Sequence, residues 1–269
     1  KVVVNATGVF VDDVMKMDEC DTRRKVRPSQ GVHLVVDSKF LGGRSALMIP
    51  KTKDGRVLFG VPWHGKVVLG TTDTPLNEAS LEPRALEEEV DFILDQAGQY
   101  LDRKPTRADV LSIFAGLRPL AAPTHADSKK TKEISRNHKI YRSKSGLLTI
   151  TGGKWTTYRA MAEDVINQAI VIGGLSPAEC VTKNLRVHGY TKEQFDENDW
   201  NYVYGSDADK IRKMIEKEPS FAEKLYEGYT FTAAHVVWAA REEFAQNIED
   251  VLARRVRMLF LDARAALKI

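Results

Sequence analysis

Cysteine is scarce in this 269-residue chain, which carries only Cys20 and Cys180. Two thiols so far apart in sequence exclude a disulfide-built fold and a cysteine zinc site, and two reduced thiols are expected. A charge excess is lacking too. With 40 Lys and Arg against 37 Asp and Glu, nothing directs the chain as a whole to nucleic acid or to an anionic surface. No apolar run reaches the roughly 20 residues that a spanning helix requires, and no signal-peptide pattern is present. Also missing is a dinucleotide fingerprint: no G-x-G-x-x-G follows a strand anywhere. There is no internal repeat and no low-complexity tract. The length still allows one large domain or two ordinary ones, with a sizeable core.

The chain opens Lys1-Val2-Val3-Val4-Asn5-Ala6-Thr7-Gly8. Three consecutive valines predict a fully buried strand with neighbours on both sides, and hence a piece of a longer protein. A polar, charged stretch runs to Arg27. Short apolar runs then predict strands at 31–36, 46–49, 57–61 and 67–71, with Pro62-Trp63-His64-Gly65-Lys66 as a hairpin connection and Asp54-Gly55 as a turn. Pro83, the acidic Glu87-Glu88-Glu89 and the stripe Leu86, Val90, Ile93, Leu94, Ala97, Leu101 predict a core-facing helix with Pro83 in its first turn. Strands return at 110–114, 139–142 and 147–151. Gly152-Gly153-Lys154 then leads into a helix over about 156–171 that Gly173-Gly174 closes. Past residue 175 the pattern is helical: 207–217, 233–245 capped by Thr232, and one helix over 248–266.

Four stretches carry candidate chemistry. In Thr151-Gly152-Gly153-Lys154-Trp155-Thr156-Thr157-Tyr158-Arg159, a strand ends in two glycines and opens a helix, which favours a phosphate or a developing negative charge. The bland reading is a glycine pair needed for packing, with Lys154 and Arg159 as solvated charges. In Ala115-Gly116-Leu117-Arg118-Pro119-Leu120, Arg118 is a stiffly presented fork suited to carboxylate or phosphate, or else half of a structural ion pair. His33 sits near the start of an apolar strand, where a hydrogen-bonded core histidine competes with a proton-transfer role. Asn5-Ala6-Thr7-Gly8 is a small-residue turn at a strand's C-terminal end, where doubly wound sheets hold ligands.

Taken in order, these stretches and Gly70-Thr71-Thr72-Asp73-Thr74 resemble the FAD-dependent glycerol-3-phosphate dehydrogenase and oxidase family, over residues 2 to about 172 and more loosely beyond. The resemblance implies an α+β fold. An antiparallel substrate-binding sheet with remnants of a doubly wound FAD domain is followed by an all-α C-terminal domain. It puts the last elements of the FAD domain (about 1–12 and 146–172) and the substrate sheet in 1–174, and the helical domain in 175–269. It implies oxidation of sn-glycerol 3-phosphate to dihydroxyacetone phosphate, with the C2 hydrogen leaving as hydride to the flavin while a base takes the hydroxyl proton. Arg118, Arg136 and Lys154 fall to the substrate and its phosphate, and His33 to proton transfer or orientation, a role Arg118 could share. Ala6, Thr7, Gly8, Gly153, Lys154 and Thr156 fall to the flavin.

The electron acceptor is open between quinone and oxygen. Quinone is the expectation, with the protein cytoplasmic and peripheral to the inner membrane. No nucleic-acid partner is expected, and a homo-oligomer is left open. Two other readings compete: an amine-oxidising flavoenzyme of the same superfamily, and a non-enzymatic helical module whose Arg254, Arg255 and Arg257 contact an acidic partner.

Overall fold

The computed structural model describes residues 1–122, 137–194, 196 and 199–269. In chain order its principal elements are β1 (Val4–Asn5), α1 (Val11–Asp18), β2 (Val26–Asp37), β3 (Leu47–Ile49), β4 (Leu58–Trp63), β5 (Lys66–Gly70), β6 (Thr74–Pro75), α2 (Glu87–Ala97), β7 (Ser112–Ala121), β8 (Lys139–Arg142), β9 (Leu148–Thr151), α3 (Tyr158–Gly173), α4 (Ala208–Lys217), α5 (Ala233–Glu242), α6 (Met258–Leu261) and α7 (Ala263–Ala266). The fold class is α+β, with antiparallel strand pairs and a helical C-terminal part. They form two compact units.

The first unit comprises Lys1–Val32, Thr72–Ala85 and Ala115–Leu185. Its small sheet has the order β1-β9-β8: β1 runs parallel to β9, and β9 pairs antiparallel with β8. The apolar stripe of α3 packs on that sheet, burying Val165 and Ala169 against Leu148 and Ile150. Gly174, in the left-handed region at φ 57°, closes α3 as a glycine C-cap does. The opening strand departs from expectation. It spans only Val4 and Asn5, pairs with β9 alone among the described residues, and leaves Val3 67% exposed. A two-residue strand with a single partner cannot cover alternate side chains on both faces.

A second departure lies in the charged stretch after Gly8, which contains α1. Val11 and Met15, one turn apart, are its buried contacts. Its Asp12 is buried as well, because the carboxylate accepts the backbone N–H groups of Lys25 (2.8 Å) and Val26 (3.0 Å). Those bonds tie α1 to the entry of β2. Here the first half of β2 pairs with β6, Ser29 opposite Pro75 and Gln30 opposite Thr74. At the far end of β7, the N–H of Ala122 donates to the Lys25 carbonyl at 2.7 Å.

The second unit comprises His33–Thr71, Leu86–Phe114 and Arg186–Ile269. Strands β3, β4 and β5 form an antiparallel meander, and β5 continues onto the second half of β2 from His33 opposite Gly70 to Asp37 opposite Lys66. The His64-Gly65 turn joins β4 and β5 as expected. Helix α2 buries Val90, Ile93, Leu94 and Ala97. It begins at Glu87, so Pro83 precedes the helix instead of sitting in its first turn. His33 stands past the middle of the long β2, not near a strand start.

The helical part of this unit has two apolar clusters. One holds Tyr204, Ile211, Ala234 and Trp238; the other holds Tyr229, Phe231, Val256, Met258 and Leu261. The single helix expected over 248–266 is broken into a π-turn segment (Asp250–Arg255), α6 and α7. The breaks fall at Arg257, in the left-handed region at φ 58°, and at Asp262. A strand start competes for the helix's backbone groups: Ser112 Oγ donates to the Leu259 carbonyl at 2.8 Å, and the Ala263 N–H donates to the Leu111 carbonyl at 3.0 Å. Among the described residues, no helix is long and apolar enough to cross a membrane.

Candidate functional site

Strand β9 ends at the first unit's glycine turn. Gly152 and Gly153 follow each other at φ 79° and 76°, a conformation that a side chain disfavours. There is no room for one either. A Cβ on Gly152 would lie 2.8 Å from the Asn137 carbonyl oxygen, and one on Gly153 would run into the Met161 sulfur. Lys154 comes next, exposed, and among the described residues it has no carboxylate partner. The short turn Trp155–Thr157 then leads into α3, whose first turn carries no acidic residue to offset the positive end of its dipole.

A second turn follows β1. Asn5, 2% exposed, holds it from within: its Nδ2 donates to the Val11 carbonyl at 2.9 Å and to Thr149 Oγ1 at 3.2 Å. Its Oδ1 accepts from the Thr7 hydroxyl at 2.7 Å. That network turns the chain at Gly8, φ 63°, where the position of a Cβ has no neighbour within 4 Å.

Both turns open on one cavity of about 560 Å³. Ala6 and Gly8 line it from the first turn, Gly152, Gly153 and Lys154 from the second, and Leu117, Arg118, Pro119 and Leu120 from β7. Ile150, Thr151, Trp155, Tyr158 and Met161 complete the lining. Trp155 and Tyr158 are stacked, with ring centroids 5.5 Å apart, and are 86% and 58% exposed. The Thr151 hydroxyl is buried with no hydrogen-bond partner among the described residues. Such an orphan in a cavity wall is a polar group that a ligand can satisfy.

Arg118 is half-buried in this lining, and its Nη1 lies 3.5 Å from Asp73 Oδ1. The guanidinium thus has a carboxylate neighbour and also lines the cavity. Arg159 turns elsewhere. It pairs with Glu163 one turn along α3 at 2.6 Å, and that bond raises its pKa above the ordinary value. Thr7 and Thr156 are not among the cavity lining; Thr7 serves the Asn5 network, and Thr156 is exposed in the turn before α3. Arg136 lies outside the described residues.

His33 belongs to the second unit. Its ring stacks on Phe114 with centroids 5.1 Å apart, and it fills the space that a side chain on Gly70 would need. Phe114 in turn meets Phe260 edge to face at 5.2 Å. Asn5, Asp73 and Thr151 stand in the motifs that the sequence singles out, but the sequence alone gives none of them a role. Asp73 did have a signal, standing in a polar Thr-Thr-Asp-Thr run directly after a buried strand. Among the described residues, no cluster of His, Cys, Asp and Glu is arranged to hold a metal ion.

Residues 1–159 match the family described as FAD dependent oxidoreductase, and residues 148–269 match the C-terminal domain of alpha-glycerophosphate oxidase. The chain belongs to the FAD-dependent glycerol-3-phosphate dehydrogenase and oxidase family. It is 41% identical to the mitochondrial glycerol-3-phosphate dehydrogenase of Arabidopsis thaliana, over 99% of this chain and 46% of that protein. To the mitochondrial glycerol-3-phosphate dehydrogenase of Bos taurus it is 38% identical, over 99% of this chain and 39% of that one. Among solved structures, the glycerol-3-phosphate dehydrogenase of Bacillus halodurans complexed with FAD superposes with a TM-score of 0.80 at 29% identity, covering 99% of this chain and 55% of that one. The chain therefore spans roughly half the length of the family members it matches.

The positive surface proposed for a helical interaction module is largely consumed within the unit. Arg254 pairs with Glu249 at 2.8 Å and with Asp250 at 3.0 Å, and the Arg255 Nε donates to the Glu243 carbonyl at 3.0 Å.

Proposed function

We propose that this chain supplies the substrate side of a flavoenzyme that oxidises sn-glycerol 3-phosphate to dihydroxyacetone phosphate, with electrons passed on to quinone at a membrane surface. One observation carries the reading. Arg118 from β7 and Lys154 from the turn after β9 line the same cavity of the first unit as the two glycine turns. A phosphate dianion requires more than one cation, and a planar fork with a point charge beside it suits that demand better than a lone carboxylate does.

The cavity fits the ring end of a flavin nucleotide. Gly8 and Gly153 allow close approach of backbone, the Thr151 hydroxyl awaits a partner, and Trp155 and Tyr158 offer flat apolar surface. Ala6, Thr7, Gly8, Gly153, Lys154 and Thr156 are the residues assigned to hold it, Thr7 through the turn it braces. When bound, the flavin supplies the two-electron acceptor. Lys154 and the N-terminus of α3 supply positive potential where negative charge develops. Arg118 and Lys154 bind and orient the phosphate. His33 takes or orients the C2 hydroxyl proton, its ring fixed by the Phe114 stack and by the absence of a side chain at Gly70. The division into 1–174 and 175–269, with the FAD-domain elements at about 1–12 and 146–172, belongs to the same proposal.

The reading is tested by titrating the whole flavin-loaded protein with glycerol 3-phosphate, dihydroxyacetone phosphate and sarcosine. Binding of the two phosphates and not of sarcosine is expected. Preference for sarcosine would move the assignment to the amine-oxidising branch of the superfamily.

A further inference from the structure

Asp73 sits where three segments of the first unit converge. Ser29 on β2 donates its hydroxyl to Asp73 Oδ1, and that same oxygen lies 3.5 Å from Arg118 Nη1. The residue before it is also fixed. Thr72, 2% exposed, accepts the Val32 N–H on its Oγ1 at 3.0 Å, and the residue after it, Thr74, pairs with Gln30 in the β2–β6 ladder. The backbone on either side of Asp73 is therefore fixed through Thr72 and Thr74, its carboxylate takes the Ser29 hydroxyl, and only 17% of its side chain is exposed.

On its other side the guanidinium meets Gly31 of β2. The atoms that a Cβ on Gly31 would collide with are Nη1, Nη2 and Cζ of Arg118, so the strand's missing side chain is the niche that receives the fork. A carboxylate on one side and a side-chain-sized gap on the other restrict a long, rotamer-rich arginine to one orientation toward the cavity.

The geometry points to Asp73 as the positioning residue for Arg118, an assignment that rests on the proposed substrate. Its two effects on an anion have opposite signs. A negative charge beside Arg118 lowers the local positive potential and so weakens attraction for any phosphate. A fixed fork favours the one phosphate pose that places C2 for reaction, where a misplacement of about 1 Å can lower the rate about 100-fold. Asp73 thus trades raw anion affinity for alignment. The signature is a split between binding and turnover.

In the whole flavin-loaded protein, Asp73→Asn is expected to bind inorganic phosphate, measured by calorimetry, at least as tightly as the wild type. With glycerol 3-phosphate its kcat should fall about 10- to 100-fold, while KM changes far less. Gly31→Ala reaches the same guanidinium from the opposite side, filling its niche, and should also lower kcat; it serves if the Asp73 variant does not fold. Wild-type kcat in both variants would overturn the assignment alone. A parallel loss of phosphate binding and turnover in Asp73→Asn would overturn it too, since that is what a merely structural aspartate gives. Absence of glycerol 3-phosphate turnover in the wild type would overturn the functional reading, and this assignment with it.

Discussion

Asn5 reaches across the parallel strand pair to Thr149, its Nδ2 donating to Thr149 Oγ1 at 3.2 Å from a position 2% exposed. The same amide donates to the Val11 carbonyl and accepts from Thr7, so one side chain joins β1, β9 and the start of α1. Asn5→Ala leaves the Val11 carbonyl and the Thr7 hydroxyl without that partner. A loss of about 1–3 kcal/mol is expected, read from urea unfolding of the purified chain. A midpoint equal to the wild type's would show that water satisfies these groups and that the turn needs no internal brace.

Arg118→Ala removes the fork from the cavity. A charge-assisted hydrogen bond contributes about 1.5–3 kcal/mol, so kcat/KM for glycerol 3-phosphate should fall about 10- to 150-fold. Lys154→Ala should act in the same direction, chiefly through KM, because Lys is a point charge with less say over orientation. Unchanged kinetics in the Arg118 variant would remove it from the site and take most of the phosphate argument with it.

His33→Ala separates proton transfer from packing. As a general base His33 would contribute about 10²- to 10⁴-fold to kcat, with little effect on the affinity for dihydroxyacetone phosphate. Normal turnover with a lowered melting temperature would make it a core histidine whose stack on Phe114 is its whole role.

Much of this arrangement is legible in the sequence, because its signals are local. The Gly152-Gly153-Lys154 turn between a strand and a helix follows from apolar patterning and paired glycines, and the structure gives both glycines the left-handed backbone that only they adopt cheaply. The His64-Gly65 hairpin and the stripe of α2 are equally local. What escaped depends on distant partners. Helix α1 has as many charged residues as apolar ones and forms around a buried Asp12 whose partners are the amides of Lys25 and Val26 at the entry to β2. The segment 248–266 keeps helical periodicity throughout, yet Ser112 and Leu111 take its backbone groups and break it. Asp73 is unremarkable as a residue type, and only the folded chain brings it between Ser29 and Arg118.

In the second unit, His235 is 4% exposed and is bound through both ring nitrogens. Nδ1 accepts the Thr232 N–H at 3.0 Å, so the proton sits on Nε2 and donates to Asn201 Oδ1 at 2.9 Å. Burial pushes its pKa below the ordinary imidazole value. The unfolded chain then takes up the proton first as pH falls, so this stability is fully present above about pH 6.5 and is lost as pH drops below it. Wild type should lose more stability between pH 8 and pH 5 than His235→Gln does, measured as the difference in urea midpoint. Equal losses would mean that His235 does not couple folding to protons.

Under the proposed function, the cavity flanked by the two glycine turns serves glycerol 3-phosphate oxidation. The most direct test mixes the whole protein, reconstituted with FAD and held without oxygen, with glycerol 3-phosphate and follows the flavin absorbance. Rapid bleaching, with dihydroxyacetone phosphate formed in equal amount to the flavin, is the predicted result. A flavin that stays oxidised in the presence of saturating glycerol 3-phosphate would rule out glycerol 3-phosphate as the substrate.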